Sequence, residues 1–349
     1  MKTKSAILYK TNTPLRVEEL IIPSLKAGQV LVKIAFSGVC HSQLNEVRGL
    51  KGEDRFLPHT LGHEGTGVVV DIGPEVKKVK VDDRAILTWI KGQGMDVPSA
   101  VYQKEDGFKV NSGAISTFME YAVISENRIV PFSGDFPMDE LSLLGCAIPT
   151  GAGMALNSAK VKQGSAVAIF GLGGIGLSAL IGSRLMGATT IIAVDKFQHK
   201  LEAASSLGAT HTIEVGATDV LGEIQRITEG RGVDYAFEAA GVSGAMEEAF
   251  RSVRDGGGLC VLAGNLPQGE VISINPFDLI KGKRIIGTWG GETNPDKDIP
   301  VYLNWYKEQK LELGGLVAKT YALSEINQAL DDLEAGELKR GLIKMDSAD

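Results

Sequence analysis

Apolar and polar residues follow two different periods along this chain, and the change of period divides it. Up to about residue 145 the period is mainly two, the spacing of a half-buried strand. Val30–Phe36 alternates and is rich in β-branched residues, Gly65–Ile72 is closed by Gly73-Pro74, and Asp83–Trp89 and Phe118–Ile124 read the same way. Between them, Lys91–Ser112 is polar, contains glycine and has no clear period, so a surface loop is expected. From Gly151 strands alternate with helices. Ala166–Phe170 is a short apolar run, followed by a glycine cluster and a helical stretch ending near Gly187. Thr190–Asp195, His211–Val215, Asp234–Ala240, Leu259–Ala263 and Arg284–Gly287 read as strands. Phe197–Leu207, Asp219–Thr228 and Ala245–Val253 read as the intervening helices, with Gly208 and Gly230 stopping the first two. Strands alternating with helices of this length predict a parallel, doubly wound sheet. After Trp289 the pattern is mixed again, with a helix over Ser324–Leu333 and a strand over Gly341–Met345. The expected architecture is α/β: a βα domain at 151–288 inserted between the two parts, 1–150 and 289–349, of a β-rich domain.

The glycine cluster carries chemistry. Gly171, Gly173 and Gly176 form G-x-G-x-x-G, with Gly174 and Ile175 inside it, directly after a predicted strand and opening a predicted helix. The first glycine permits the turn, the second lets a pyrophosphate approach the backbone, and the third lets helix and strand pack closely. The helix N-terminus then faces the phosphates. Asp195 ends the next strand, 19 residues after Gly176, where a carboxylate accepts hydrogen bonds from the adenosine ribose and repels a 2′-phosphate. These features together predict a Rossmann dinucleotide site. Lys196 would help hold a phosphate, but it sits beside that carboxylate, so NAD is favoured over NADP. No Gly-Lys-Ser/Thr follows the loop, which excludes a P-loop nucleotidase.

Composition narrows the setting. Hydrophobic residues are 44% and charged residues 23% of 349, which argues against disorder. A net charge of −7 without a basic run is a poor match to nucleic acid or an anionic membrane. The most apolar stretch, residues 166–182, is short for a bilayer and rich in glycine. The first residues show no signal peptide, and the 3 cysteines exclude a disulfide framework, so a reduced cytoplasm is the expected location. Catalytic zinc takes three N and S donors and keeps an open position. Cys40, His63 and Cys146 offer such a set, with His41 and His59 nearby. Spacing does not single them out, because none belongs to a short C-x-x-C or H-x-x-x-H unit, and a free Cys is more often a small hydrophobe. Cys260 lies in an apolar strand and takes that reading.

At these residues the chain resembles the zinc-dependent medium-chain alcohol dehydrogenase family over nearly its whole length. The resemblance rests on Gly38-Val39-Cys40-His41-Ser42, Gly62-His63-Glu64-Gly65-Thr66-Gly67, the segment from Gly145-Cys146 through Gly151, the Phe170–Gly176 loop, and the tail from Gly336 to Arg340. The coenzyme half is most similar to the classical and glutathione-dependent formaldehyde dehydrogenase branches. The resemblance implies a GroES-like catalytic domain around the Rossmann domain. It implies one catalytic zinc on Cys40, His63 and Cys146, with Glu64 as a transient ligand and Ser42 relaying the substrate proton. It implies NAD held by the glycine loop, Asp195 and Lys200, with His41 and Arg340 on the phosphates and Thr150 against the nicotinamide. Trp89 falls where an aromatic residue lines the substrate pocket.

Three departures stand out. Lys91–Ser112 has no Cys, where many relatives carry four for a structural zinc, so no second zinc is expected. Gln43 replaces the usual Asp beside the zinc-bound His, and its amide accepts a hydrogen bond without adding negative charge. Asn45 stands where some relatives end the proton relay in a His, and an amide does not titrate near neutrality. The implied activity is hydride transfer between an alcohol, or its aldehyde or ketone, and NAD(H). A polyol, sugar, cyclitol or thiol adduct is the alternative substrate class. A metal-free reductase of activated C=C bonds and a non-catalytic NAD-binding sensor are the rival readings, and the intact ligand set argues against both. A homodimer or homotetramer is expected, with Arg284–Gly287 extending the sheet across a two-fold axis.

Overall fold

The computed structural model describes residues 1–336 and 340–346, so residues 337–339 of the tail segment lie outside the described residues. The chain forms two compact units, 1–146 with 294–349, and 147–293. The expected boundaries were 150/151 and 288/289.

In the first unit the strand Gln29–Val39 is buried along most of its length and is the spine of a seven-stranded sheet. Successive neighbours on one side are Glu64–Ile72, Arg84–Thr88 and Ile129–Phe132, and on the other Gly341–Lys344 and Lys319–Ala322. Tyr121–Ser125 also pairs with the spine. The C-terminal strands thus complete a sheet begun at the N-terminus. A closed barrel joins Lys2–Leu8, Arg16–Ile21, Val101–Gln103, Lys109–Asn111 and His59–Thr60. Its interior shares one core with the sheet, built on residues such as Leu8, Val32, Ile34, Phe118 and Tyr102.

One sequence expectation is corrected here. Lys91–Ser112 is not a featureless loop, because Val101–Gln103 and Lys109–Asn111 pair antiparallel around Asp106-Gly107. Tyr102 and Val110 are buried between them. Strands of three residues are too short to show a period, but the Asp-Gly pair between Tyr102 and Val110 was the available signal.

In the second unit every strand pair is parallel, in the order His211–Glu214, Thr190–Asp195, Ala166–Phe170, Tyr235–Glu238, Leu259–Leu262, Arg284–Gly287. Numbered by sequence this is 3-2-1-4-5-6, the dinucleotide-binding order. Phe170 pairs with Val194 on one side and Glu238 on the other, so the glycine cluster leaves the sheet where the strand order reverses. That crevice, at the carboxyl ends of the strands, is where open α/β sheets bind ligands. Among the described residues no helix is long and apolar enough to cross a membrane.

Candidate metal centre and dinucleotide loop

Strand register brings the candidate metal ligands together. Ser37 pairs with Gly65, so the end of the spine strand lies beside the start of Glu64–Ile72. Cys40 leaves the first of these strands and His63 enters the second. Cys40 is also the N-cap of the helix His41–Val47. Glu64 pairs with Thr88, which sets Trp89 next to His63. Cys146 arrives from the short helical turn Ser142–Gly145. The missing side chain of Gly145 permits this approach, since a Cβ there would overlap the Leu87 carbonyl and lie 2.8 Å from the Glu64 Cβ. The Sγ atoms of Cys40 and Cys146 and a ring nitrogen of His63 all lie within 4.8 Å of one another, with both cysteines buried.

The surroundings of these atoms are as informative as the atoms. His63 Nε2 is buried without a hydrogen-bond partner. His63 Nδ1 meets the side-chain amide of Gln43, whose Oε1 also accepts from the Cys40 backbone N–H at 3.1 Å. Trp89 Nε1 donates to Cys146 Sγ at 3.2 Å, and its ring stands edge-on to His63 at 6.4 Å. A hydrogen bond from Cys146 holds the Cys40 thiol well below its usual range against the opposing effect of burial, and the same bond drives Cys146 up.

Behind them lies an ion pair that the sequence did not announce. Arg340 is buried and donates to Glu64. Burial works to lower the guanidinium, but Glu64 and the two sulfurs outweigh it and hold it above its ordinary value. Burial pushes Glu64 up, with Arg340 opposing. Arg340 was expected on a pyrophosphate, whereas in this structure its guanidinium is engaged by the carboxylate and its Nε is buried without a partner. Ser42 lies in the helix His41–Val47, and its Oγ accepts from Lys51 Nζ at 3.0 Å. No motif or spacing pointed to Lys51. His41 is exposed at the start of the same helix.

In the second unit Gly171 has φ +88°, and a Cβ there would sit 2.6 Å from the Ala240 nitrogen. Gly173 differs, because a Cβ on it would meet nothing within 4 Å. Protein packing does not require glycine at that position, whereas close approach of a ligand does. Gly173 caps the helix Gly174–Leu185, which contains Ile175 and Gly176. Asp195 Oδ2 accepts from the Leu172 N–H at 2.7 Å and Oδ1 from the Phe197 N–H at 3.0 Å, so the carboxylate also fixes the loop. Lys200 is buried with Nζ 4.7 Å from the Phe197 ring centre, and burial lowers its ammonium against the pull of Asp195. Thr150 is buried with its Oγ1 unpartnered.

Comparison with known proteins agrees with this geometry. Residues 26–134 match the alcohol dehydrogenase GroES-like domain, and residues 174–308 match the zinc-binding dehydrogenase domain. The chain is 33% identical to S-(hydroxymethyl)glutathione dehydrogenase of Paracoccus denitrificans over 98% of this chain and 100% of the relative. It is 34% identical to the class-3 alcohol dehydrogenase of Myxine glutinosa, over 98% and 97% of the two chains. Benzyl alcohol dehydrogenase of Acinetobacter calcoaceticus matches the structure with a TM-score of 0.90, at 31% identity and covering 99% of each chain. Two family domains in the right order, relatives aligned end to end, a Cys-His-Cys cluster in the first unit and an open glycine loop in the second lead to one conclusion: the chain belongs to the zinc-dependent medium-chain alcohol dehydrogenase family.

Proposed function

We propose that this protein interconverts an alcohol and its aldehyde or ketone, using NAD(H) and one zinc ion held by Cys40, His63 and Cys146. The observation that carries the reading is His63 Nε2, buried and unpartnered beside two buried sulfurs. An imidazole nitrogen left without a partner in the interior is costly unless something absent from the protein completes it. Two sulfurs and one imidazole, with a fourth position open, are a catalytic zinc set. Bound zinc supplies Lewis acidity toward a hydroxyl or carbonyl oxygen, and bound NAD supplies a hydride acceptor.

The chain's own residues do the rest. His63 gives Nε2 to the cation, and the Gln43 side-chain Nε2 packed against its Nδ1 restrains the ring plane. The Trp89 N–H draws charge from Cys146. Arg340 holds the Glu64 carboxylate, so Glu64 reaches the centre only by leaving that ion pair. Ser42 passes the substrate's proton onward. The glycine loop and Asp195 bind the dinucleotide, with a carboxylate where a 2′-phosphate would stand, which supports NAD over NADP. Lys200 and Thr150 complete the cofactor contacts in this reading.

The reading extends to a homo-oligomer. Arg284–Gly287 is the edge of its sheet, and the nearby chain exposes Val271 at 81%, Phe277 at 56%, Ile280 at 77% and Trp289 at 76%. Exposed apolar side chains in the segments flanking a sheet edge are the mark of an association surface.

Elemental analysis together with NADH absorbance during incubation with a panel of alcohols tests the proposal. One zinc per chain and NADH formation are expected, while Cys40→Ser and His63→Ala lose both zinc and turnover and still bind NADH. Undiminished turnover in zinc-free protein would reject the scheme.

A further inference from the structure

Asn45 cannot end a proton relay, yet a different chain of polar contacts leaves Ser42. Ser42 and Glu46 lie four residues apart and share one face of the helix His41–Val47. Lys51 reaches back to both, with Nζ 3.0 Å from Ser42 Oγ and 2.8 Å from Glu46 Oε2. The other oxygen of Glu46 lies 3.5 Å from His59 Nε2, and that nitrogen is 2.7 Å from Asp54 Oδ2. His59 Nδ1 faces the Thr60 carbonyl at 3.0 Å, so both sides of the ring meet acceptors. Glu46 and His59 line a cavity of about 420 Å³. Phe56 and Val101, also in its wall, are exposed.

We propose that Lys51, Glu46 and His59 carry the reaction's proton between Ser42 and the solvent in this cavity. The inference rests on the dehydrogenase reading above. In the oxidation direction the Lys51 ammonium first gives a proton to the Glu46 carboxylate, and the amine left behind takes the Ser42 hydroxyl proton as Ser42 Oγ takes that of the substrate O–H. His59 releases a proton to water as it takes the one held by Glu46. Ser42 ends as a neutral hydroxyl and Lys51 as an ammonium, each having gained and lost one proton. The electron pair of the substrate C–H bond leaves with the hydride. Reduction runs the same route backward. Lys51 touches Ser42 rather than the reacting atoms, so it is a positioning and relay residue.

The test compares wild type with Lys51→Met, Lys51→Ala, Lys51→Arg and Glu46→Gln. Lys51→Met is expected to lose about a hundredfold in kcat, the usual contribution of a positioned proton carrier, with little change in KM. Its zinc content and NADH affinity should match wild type, showing that the fold and both cofactor sites survive. Ethylamine should restore rate to Lys51→Ala in proportion to its concentration, and Lys51→Arg should retain more rate than Lys51→Met. In the substrate-free protein the NMR signal of the Lys51 ammonium should shift in Glu46→Gln. Wild-type kcat in Lys51→Met overturns the relay, as does a loss confined to KM, which makes Lys51 a substrate contact, or a loss that amine does not restore. A wild-type protein that forms no NADH from any alcohol refutes the dehydrogenase reading itself, a separate result from wild-type turnover beside undiminished Lys51→Met turnover.

Discussion

Replacing Gln43 by Ala removes two supports at once. Gln43 is buried, its Oε1 takes the Cys40 N–H at 3.1 Å, and its amide meets His63 Nδ1. The first loss leaves a buried backbone N–H unpaired next to a helix start, which costs about 1–3 kcal/mol of stability. The second frees the His63 ring to rotate about its side-chain bonds. Removing the outer partner of a ligating His typically weakens metal binding about 10- to 100-fold, which corresponds to about 1.4–2.8 kcal/mol. Gln43→Glu keeps the length and the acceptor for the Cys40 N–H, presents a carboxylate oxygen to His63 Nδ1 in place of Nε2 and adds negative charge, so it should bind zinc more tightly than wild type. Competition with a chelator of known affinity, read as zinc retained per chain, gives the three dissociation constants. Thermal unfolding of the metal-free proteins separates the stability cost from the binding cost. A Gln43→Ala dissociation constant equal to that of wild type would show that the amide does not orient His63.

Two further outcomes follow from buried and exposed groups. Burial pushes the Glu238 carboxyl from 4.5 up to about 6, with the Gly241 and Ala240 N–H groups opposing. Between those values the native state keeps a proton that the unfolded chain has lost, so stability falls as pH rises through that window. At 1.36 kcal/mol per pKa unit the fall totals about 2 kcal/mol, and Glu238→Gln should abolish it in denaturant titrations from pH 4 to 7. Equal pH slopes for the two proteins would refute this. Ile280→Asp places a charge on an exposed apolar position just before the edge strand and should lower the oligomeric state seen by sedimentation, whereas an unchanged sedimentation coefficient would exclude that edge as the interface.

Much of the second unit was legible locally. The expected strands Ala166–Phe170 and Thr190–Asp195 coincide with the observed ones, because a buried parallel strand is a continuous apolar run bounded by turn residues, and Arg284–Gly287 coincides as a short, partly exposed edge strand. The glycine loop was legible for the same reason, since its requirements are those of a single turn. The hairpin within Lys91–Ser112 was not, because three-residue strands carry no period. In the first unit, residues 40, 63 and 146 have no spacing rule, and only resemblance to a family joined them on the sequence.

By itself, then, the sequence determined what depends on neighbours along the chain: the alternation of strands and helices, the glycine turn, the acid that follows it, and the presence of residue types able to ligate a metal. The tertiary structure decided what depends on register and close approach. The pairing of Ser37 with Gly65 and Glu64 with Thr88 aligns Cys40, His63 and Trp89, and Gly145 lets Cys146 join them. The Glu64–Arg340 pair spans 276 residues and the Lys51–Ser42 contact 9, and neither follows from any local period. Contacts of this kind arise only after the sheet has fixed which backbones meet, because side-chain hydrogen bonds and ion pairs require geometry that a linear pattern does not encode.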